Sequence, residues 1–94
     1  MSSRLISVIL TSLTPVSVSV EGQRVPFTAT LKSAAGAIKA STDGGVEFFP
    51  VTLDTDATTL TQKVLTVKAP LTHLQFTAGT ANVDKYLIME HTPP

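Results

Sequence analysis

The residues able to do chemistry are few: two histidines, seven carboxylates and no cysteine in a chain of 94 residues. Zinc needs three or four ligands held by supporting hydrogen bonds, and His73 and His91 have no such company. The Leu74, Phe76, Ala78 alternation assigns His73 to a polar face, and His91 adjoins the C-terminal tail. Asp54-Thr55-Asp56 supplies the first two acidic positions of a calcium loop. The glycine at the sixth position and the glutamate at the twelfth are missing, so the stretch reads as a solvated turn. Nucleophilic catalysis lacks a thiol, a Gly-x-Ser-x-Gly elbow, and a serine set beside a histidine and a carboxylate. Glu47 and Glu90 could pair across opposed strands, but seven acids in a short chain form some pair by chance. Gly44-Gly45 stands alone and is no phosphate cradle. With no tryptophan and one tyrosine, Tyr86, which reads as core, the stacking platforms of a sugar site are also scarce. These absences predict a protein that is not an enzyme, with no metal and no cofactor.

Composition narrows the class further. Apolar residues make up 43% of the chain and charged ones 15%, against roughly 25% charged in an average soluble domain. Seven basic and seven acidic side chains cancel, so there is no surplus of Lys and Arg to displace counterions from nucleic acid. Disorder goes with low hydrophobicity and high net charge, and neither holds here. Arg4 followed by Leu5-Ile6-Ser7-Val8-Ile9-Leu10 has the start of a signal peptide. Thr11, Ser12 and Pro15 interrupt it, no small-x-small cleavage site follows, and the run reads as a first strand. No stretch approaches the ~18 continuous apolar residues of a membrane helix.

The elements that must position any site are strands. Fifteen threonines and ten valines favour pleated backbone, where β-branched side chains are least restricted. Val16-Ser17-Val18-Ser19-Val20 alternates, and Val25 to Leu31 places Phe27, Ala29 and Leu31 on one face. Ser33-Ala34-Ala35-Gly36 is a small-residue connection rather than a helix. Asp43-Gly44 between Ala37–Thr42 and Val46–Val51 is a hairpin signal that demands positive φ at a glycine. Thr59 to Ala69, Leu74 to Ala78 and Val83 to Glu90 complete the set. Pro26 and Pro50 cannot donate to a ladder, which predicts edge strands or bulges at both. The spacing predicts one all-β domain over residues 1–94, with short tails at the N-terminus and at 92–94. Its form is a small antiparallel β-sandwich, or a jelly-roll or Ig-like barrel, of about seven strands.

Ala40-Ser41-Thr42-Asp43-Gly44-Gly45-Val46-Glu47-Phe48-Phe49-Pro50-Val51 resembles the Ser-x-Asp-Gly, aromatic, Pro-Val hairpin of small β-sandwich proteins in tailed-phage particles. Pro70 to Phe76 and Gly79 to Val83 look like the paired strands that close such domains. The resemblance implies a virion protein of the capsid decoration (cement) type, often trimeric. Such a protein is made in the host cytoplasm and bound to the major capsid protein on the capsid surface. It carries over no catalytic residue. An adhesive or carbohydrate-binding module of a phage tail or head fibre is the alternative.

Charge depletion points independently to assembly, because interface cores are poor in charge. Both faces of Leu5–Leu10 are apolar, and a two-layer sandwich covers only one of them. Leu5, Ile6 and Ile9 on that strand, with Phe49 and Val51 flanking Pro50, are the candidate interface residues. A homotrimer is expected, with prolines at the sheet edges favouring a closed ring over a fibre.

Overall fold

A computed structural model describes residues 5–33, 35–54 and 62–90. Eight strands run β1 (Leu5–Ile9), β2 (Val16–Ser19), β3 (Phe27–Lys32), β4 (Ala37–Ser41), β5 (Phe49–Pro50), β6 (Lys63–Val67), β7 (His73–Thr77) and β8 (Lys85–Glu90). They form two antiparallel four-stranded sheets, sheet I in the order β1-β8-β3-β6 and sheet II in the order β2-β7-β4-β5.

The pairing has a simple origin. β1 pairs with β8, β2 with β7, β3 with β6 and β4 with β5. The chain is therefore one long hairpin whose tip is the β4–β5 turn. Winding that ribbon once brings β8 against β3 and β7 against β4, which is the arrangement of a jelly roll. The strands are the two arms of one ribbon, so they come in pairs, and the expected set of about seven is eight. β6 is shorter than the sequence predicts, and the Thr59–Thr61 part of that prediction lies outside the described residues.

Alternation fixes which side of each strand is buried. Phe27, Ala29 and Leu31 of β3, Ile38 and Ala40 of β4, Leu65 and Val67 of β6, Leu74 and Phe76 of β7, and Tyr86 and Ile88 of β8 point inward. At the centre the Phe76 and Tyr86 rings stack across the two sheets, 4.4 Å between centroids and 4° from parallel. Tyr86 is core, as its sequence context predicts, and burial raises the pKa of its phenol.

The two prolines have different fates. Pro50 lies in β5, at the margin of sheet II, where its missing N–H costs no ladder bond. The edge assignment at Pro26 is wrong: β3 is an interior strand, bonded to β8 on one side and β6 on the other. Pro26 follows a cis peptide bond and sits just before β3 begins, so it interrupts nothing.

The Asp43-Gly44 hairpin forms, but its connection is the longer loop 42–48 rather than a two-residue turn. Gly44 and Gly45 adopt φ of 80° and 86°. Replacing Gly44 by Val should cost about 1–2 kcal/mol, because a β-branched residue is strained at positive φ. Nothing lies within 4 Å of a Cβ there, so backbone strain alone would shift the denaturant midpoint. The core makes a sharper contrast. Phe76→Ala should lose about 3–5 kcal/mol by deleting the central ring, whereas Phe49→Ala at the margin should lose less than about 1 kcal/mol; equilibrium urea unfolding measures both.

Candidate interaction surface

The outward-facing residues of the two sheets differ in chemistry. Sheet II presents Ser17 and Ser19 from β2, His73, Gln75 and Thr77 from β7, and Lys39 from β4, following the register Ser17↔Gln75, Ser19↔His73 and Lys39↔Gln75. Sheet I presents Leu5, Ser7 and Ile9 from β1 beside Met89, Leu87 and Lys85 from β8, then Thr28 and Thr30 from β3. Leu5 is 58% exposed, Ile9 57% and Met89 42%, with Leu87 half-buried between them. Leu5, Ile9, Leu87 and Met89 form an apolar strip along two neighbouring strands, interrupted by Ser7, bordered by Thr28 and Thr30 and ended by Lys85 and Lys32.

The five candidate interface residues do not form one patch. Leu5 and Ile9 lie in the strip, and Ile6, on the opposite face of β1, packs partly against the core. Phe49 and Val51 belong to the other side of the sandwich. The Phe76–Tyr86 stack sets β8 over β7, and the short connections 10–15 and 33–36 set β1 over β2 and β3 over β4. β5 and β6 then share the far margin. There Phe49 is 42% exposed and Val51 packs partly on the core. Leu87 and Met89 were missed by the strand-by-strand reading. Their signal was available, since Tyr86-Leu87-Ile88-Met89 is apolar on both faces, as β1 is.

Two hydrogen-bonded knots hold the loops at opposite ends of the sandwich. At one end the Asp84 carboxylate is buried, accepts the Gly79 and Thr80 amides, both at 2.8 Å, and bonds the Ser33 hydroxyl. Ser33 Oγ also accepts the Gly36 amide at 2.8 Å. Gly36 is obligatory here, because a Cβ would collide with the Thr77 carbonyl. The Ser33 bond foremost, with the Thr80 and Gly79 amides, lowers the Asp84 pKa. At the other end Asp43 Oδ1 accepts the Ser41 hydroxyl at 2.7 Å and the Glu47 amide at 3.1 Å, and those bonds lower its pKa likewise. Thr72 joins this loop to the sheet, accepting the Gly44 amide and donating to the Ser41 carbonyl. These carboxylates are spent on backbone amides and are positioned to brace loops.

The residues tested for chemistry remain scattered. His73 is on the outer face of sheet II, as predicted, with its ring 3.4–3.6 Å from where a Gly45 Cβ would stand. Its Nδ1 is enclosed with no hydrogen-bond partner among the described residues. His91 and Asp56 lie outside the described residues, and the Asp54 carboxylate accepts the Thr66 hydroxyl. Glu47 is in the β4–β5 loop rather than on a strand, while Glu90 is buried and accepts the Arg24 amide. Among the described residues no group of three or more His, Cys, Asp or Glu could hold a metal. A depression of about 190 Å³ is lined by the single turn Ser19–Gln23 and opens to solvent. Comparison with family models, with characterised proteins and with solved structures gave no match.

The lowered pKa values carry a sign. A carboxyl that binds its proton less readily folded than unfolded stabilises the fold at neutral pH, and that contribution disappears as pH falls through and below the ordinary carboxylate range. Asp84→Asn should therefore lower the melting temperature at neutral pH and flatten its decline toward acid. Calorimetric melting across that pH range reads both effects.

Proposed function

We propose that this protein is a structural virion component, a capsid decoration or cement protein that binds the outer surface of a phage head. The observation that carries the reading is the apolar strip of Leu5, Ile9, Leu87 and Met89 on the outer face of sheet I, ended by Lys85 and Lys32, where sheet II presents hydroxyls, amides and Lys39. An exposed apolar strip suits a repeating protein surface, where burial of apolar area drives association at about 25 cal/mol per Å². The jelly roll is used by viral capsid proteins and by lectins alike, so the fold alone does not separate the two readings. The aromatic residues favour the structural one. Tyr86 is core, and Phe49, the exposed aromatic among the described residues, sits on a sheet margin rather than in a groove.

Cosedimentation with empty capsids of its own phage tests the proposal. The protein should bind the shell and raise its resistance to heat or low salt. Met89→Asp should weaken binding about tenfold or more, since 1.4 kcal/mol is one decade and a buried unpaired charge costs at least that. Failure to bind capsids, together with glycan binding that is lost in Phe49→Ala, would establish the adhesive alternative instead.

A further inference from the structure

Open strand margins invite pairing, and proteins guard them with proline, charge, short length or a covering segment. Three of the four margins here are guarded. β5 is two residues long and one of them is Pro50. β6 is covered by the segment that follows β5, whose Asp54 amide donates to the outward Val64 carbonyl at 2.8 Å. β2 lies between Pro15 and Glu21, and its outward backbone belongs to Ser17 and Ser19 alone, because Val20 bonds inward to Thr72 and fixes the phase.

β1 has no such protection. Leu5-Ile6-Ser7-Val8-Ile9 contains no charge and no proline, and among the described residues nothing pairs with its outer side. Its hydrogen-bonding phase is also fixed. The Leu10 amide donates to the Asp84 carbonyl, one step beyond the Ile9↔Lys85 pair. In an antiparallel ladder alternate residues bond to the neighbour, so Ile6 and Val8 bond toward β8. The amides and carbonyls of Leu5, Ser7 and Ile9 point away from it.

We propose that β1 pairs antiparallel with β1 of a second copy of this chain, about a two-fold axis at Ser7. The strand is complementary to itself in that register. Leu5 faces Ile9 of the second copy and Ser7 faces Ser7, and each of these pairings joins residues whose backbone groups point outward. On the core side Ile6 faces Val8, covering two side chains that one sandwich leaves partly open. No like charges meet. Lys85, the charged residue opposite β1, falls in a row with Leu5 and Met89 of the second copy, away from its own counterpart. One unguarded margin per molecule closes at two, because the pair has no free β1 with which to grow. Of the two prolines expected to favour a closed ring, Pro26 is not at an edge.

Sedimentation equilibrium of the full chain, from micromolar to submillimolar concentration, tests the pairing without any capsid, so its outcome is independent of the capsid-binding experiment. The mass should be twice the 9.9 kDa of one chain. Ser7→Pro should give a folded monomer, since the lost N–H points away from β8 and proline is tolerated on that side of an edge strand. Circular dichroism of Ser7→Pro should retain the sheet signal, whereas Val8→Pro, which deletes an amide bonded to β8, should unfold. Ile9→Lys places a guarding charge on the margin and should dissociate the pair without touching the core. It decides the matter if Ser7→Pro does not fold. A wild-type monomer at submillimolar concentration, a trimer, or a dimer that survives Ile9→Lys would overturn the proposal.

Discussion

Everything in this fold is arranged around the contact between β7 and β8. They are two of the four strands that the wound ribbon leaves paired on both sides, β8 between β1 and β3, β7 between β2 and β4. Their inward side chains, Phe76 and Tyr86, stack at 4.4 Å where the two sheets face each other. Aromatic pairs add about 0.5–1.5 kcal/mol beyond the area they bury, and here the pair also sets the alignment of one sheet over the other. Leu74, Ile88, Leu31 and Phe27 fill the remaining interior with almost no exposure. With β7 and β8 central, β1 and β2 fall at one margin and β5 and β6 at the other. The placement of the exposed apolar strip follows from the position of the stack.

That placement explains how a neutral chain with so few charges divides its surface. Fourteen charged side chains cannot cover both outer faces, and the hydroxyl-rich strands take up the remainder on sheet II. On sheet I the margin strand and its neighbour both carry apolar residues outward. A surface built this way has direction: hydroxyls prevail on the outer face of sheet II, and the apolar strip lies on that of sheet I. Several of the acidic residues, meanwhile, are engaged within the molecule. Asp84, Asp43 and Glu90 each receive backbone amides, so these three carboxylates brace loops.

Much of this was legible residue by residue. The alternations at Phe27–Leu31 and Leu74–Phe76, the positive φ at Gly44, and the edge position of Pro50 each follow from a local steric or hydrogen-bonding rule, and local rules are what a sequence displays. What was not legible depended on topology. Pro26 reads as an edge signal because a proline within a strand removes a ladder bond; a proline one residue before the strand removes none, and the sequence does not mark that boundary. Leu5 and Phe49 are both candidate interface residues because each is apolar, and their residue types do not say whether they lie together. The winding of the ribbon places them on opposite sides, and the pairing of distant strands decides this. That Leu87 is apolar on an outer face is local and legible, but that it lies beside β1 is not, since its neighbour on the sheet is Ser7, eighty residues earlier in the chain.

The strip and the open margin are linked by the same two strands. In a two-fold pairing through Ser7, the row that begins at Ile9 continues into Leu5 and Met89 of the second copy, and its symmetry mate runs the other way. Two narrow strips thereby lie side by side across the Ser7 pair, with both copies' outer surfaces turned to the same side because the axis stands perpendicular to the sheet. Pairing covers the margin while leaving those surfaces open. A domain this small hides only about 60–65% of its unfolded surface by itself, so each added strand neighbour counts toward holding β1 in place. Association favours the folded state by mass action, and β1 is the element with most to gain. It has one strand neighbour, and three of its five side chains lie on the outer face. Ordering of β1 and completion of the binding face are then a single event.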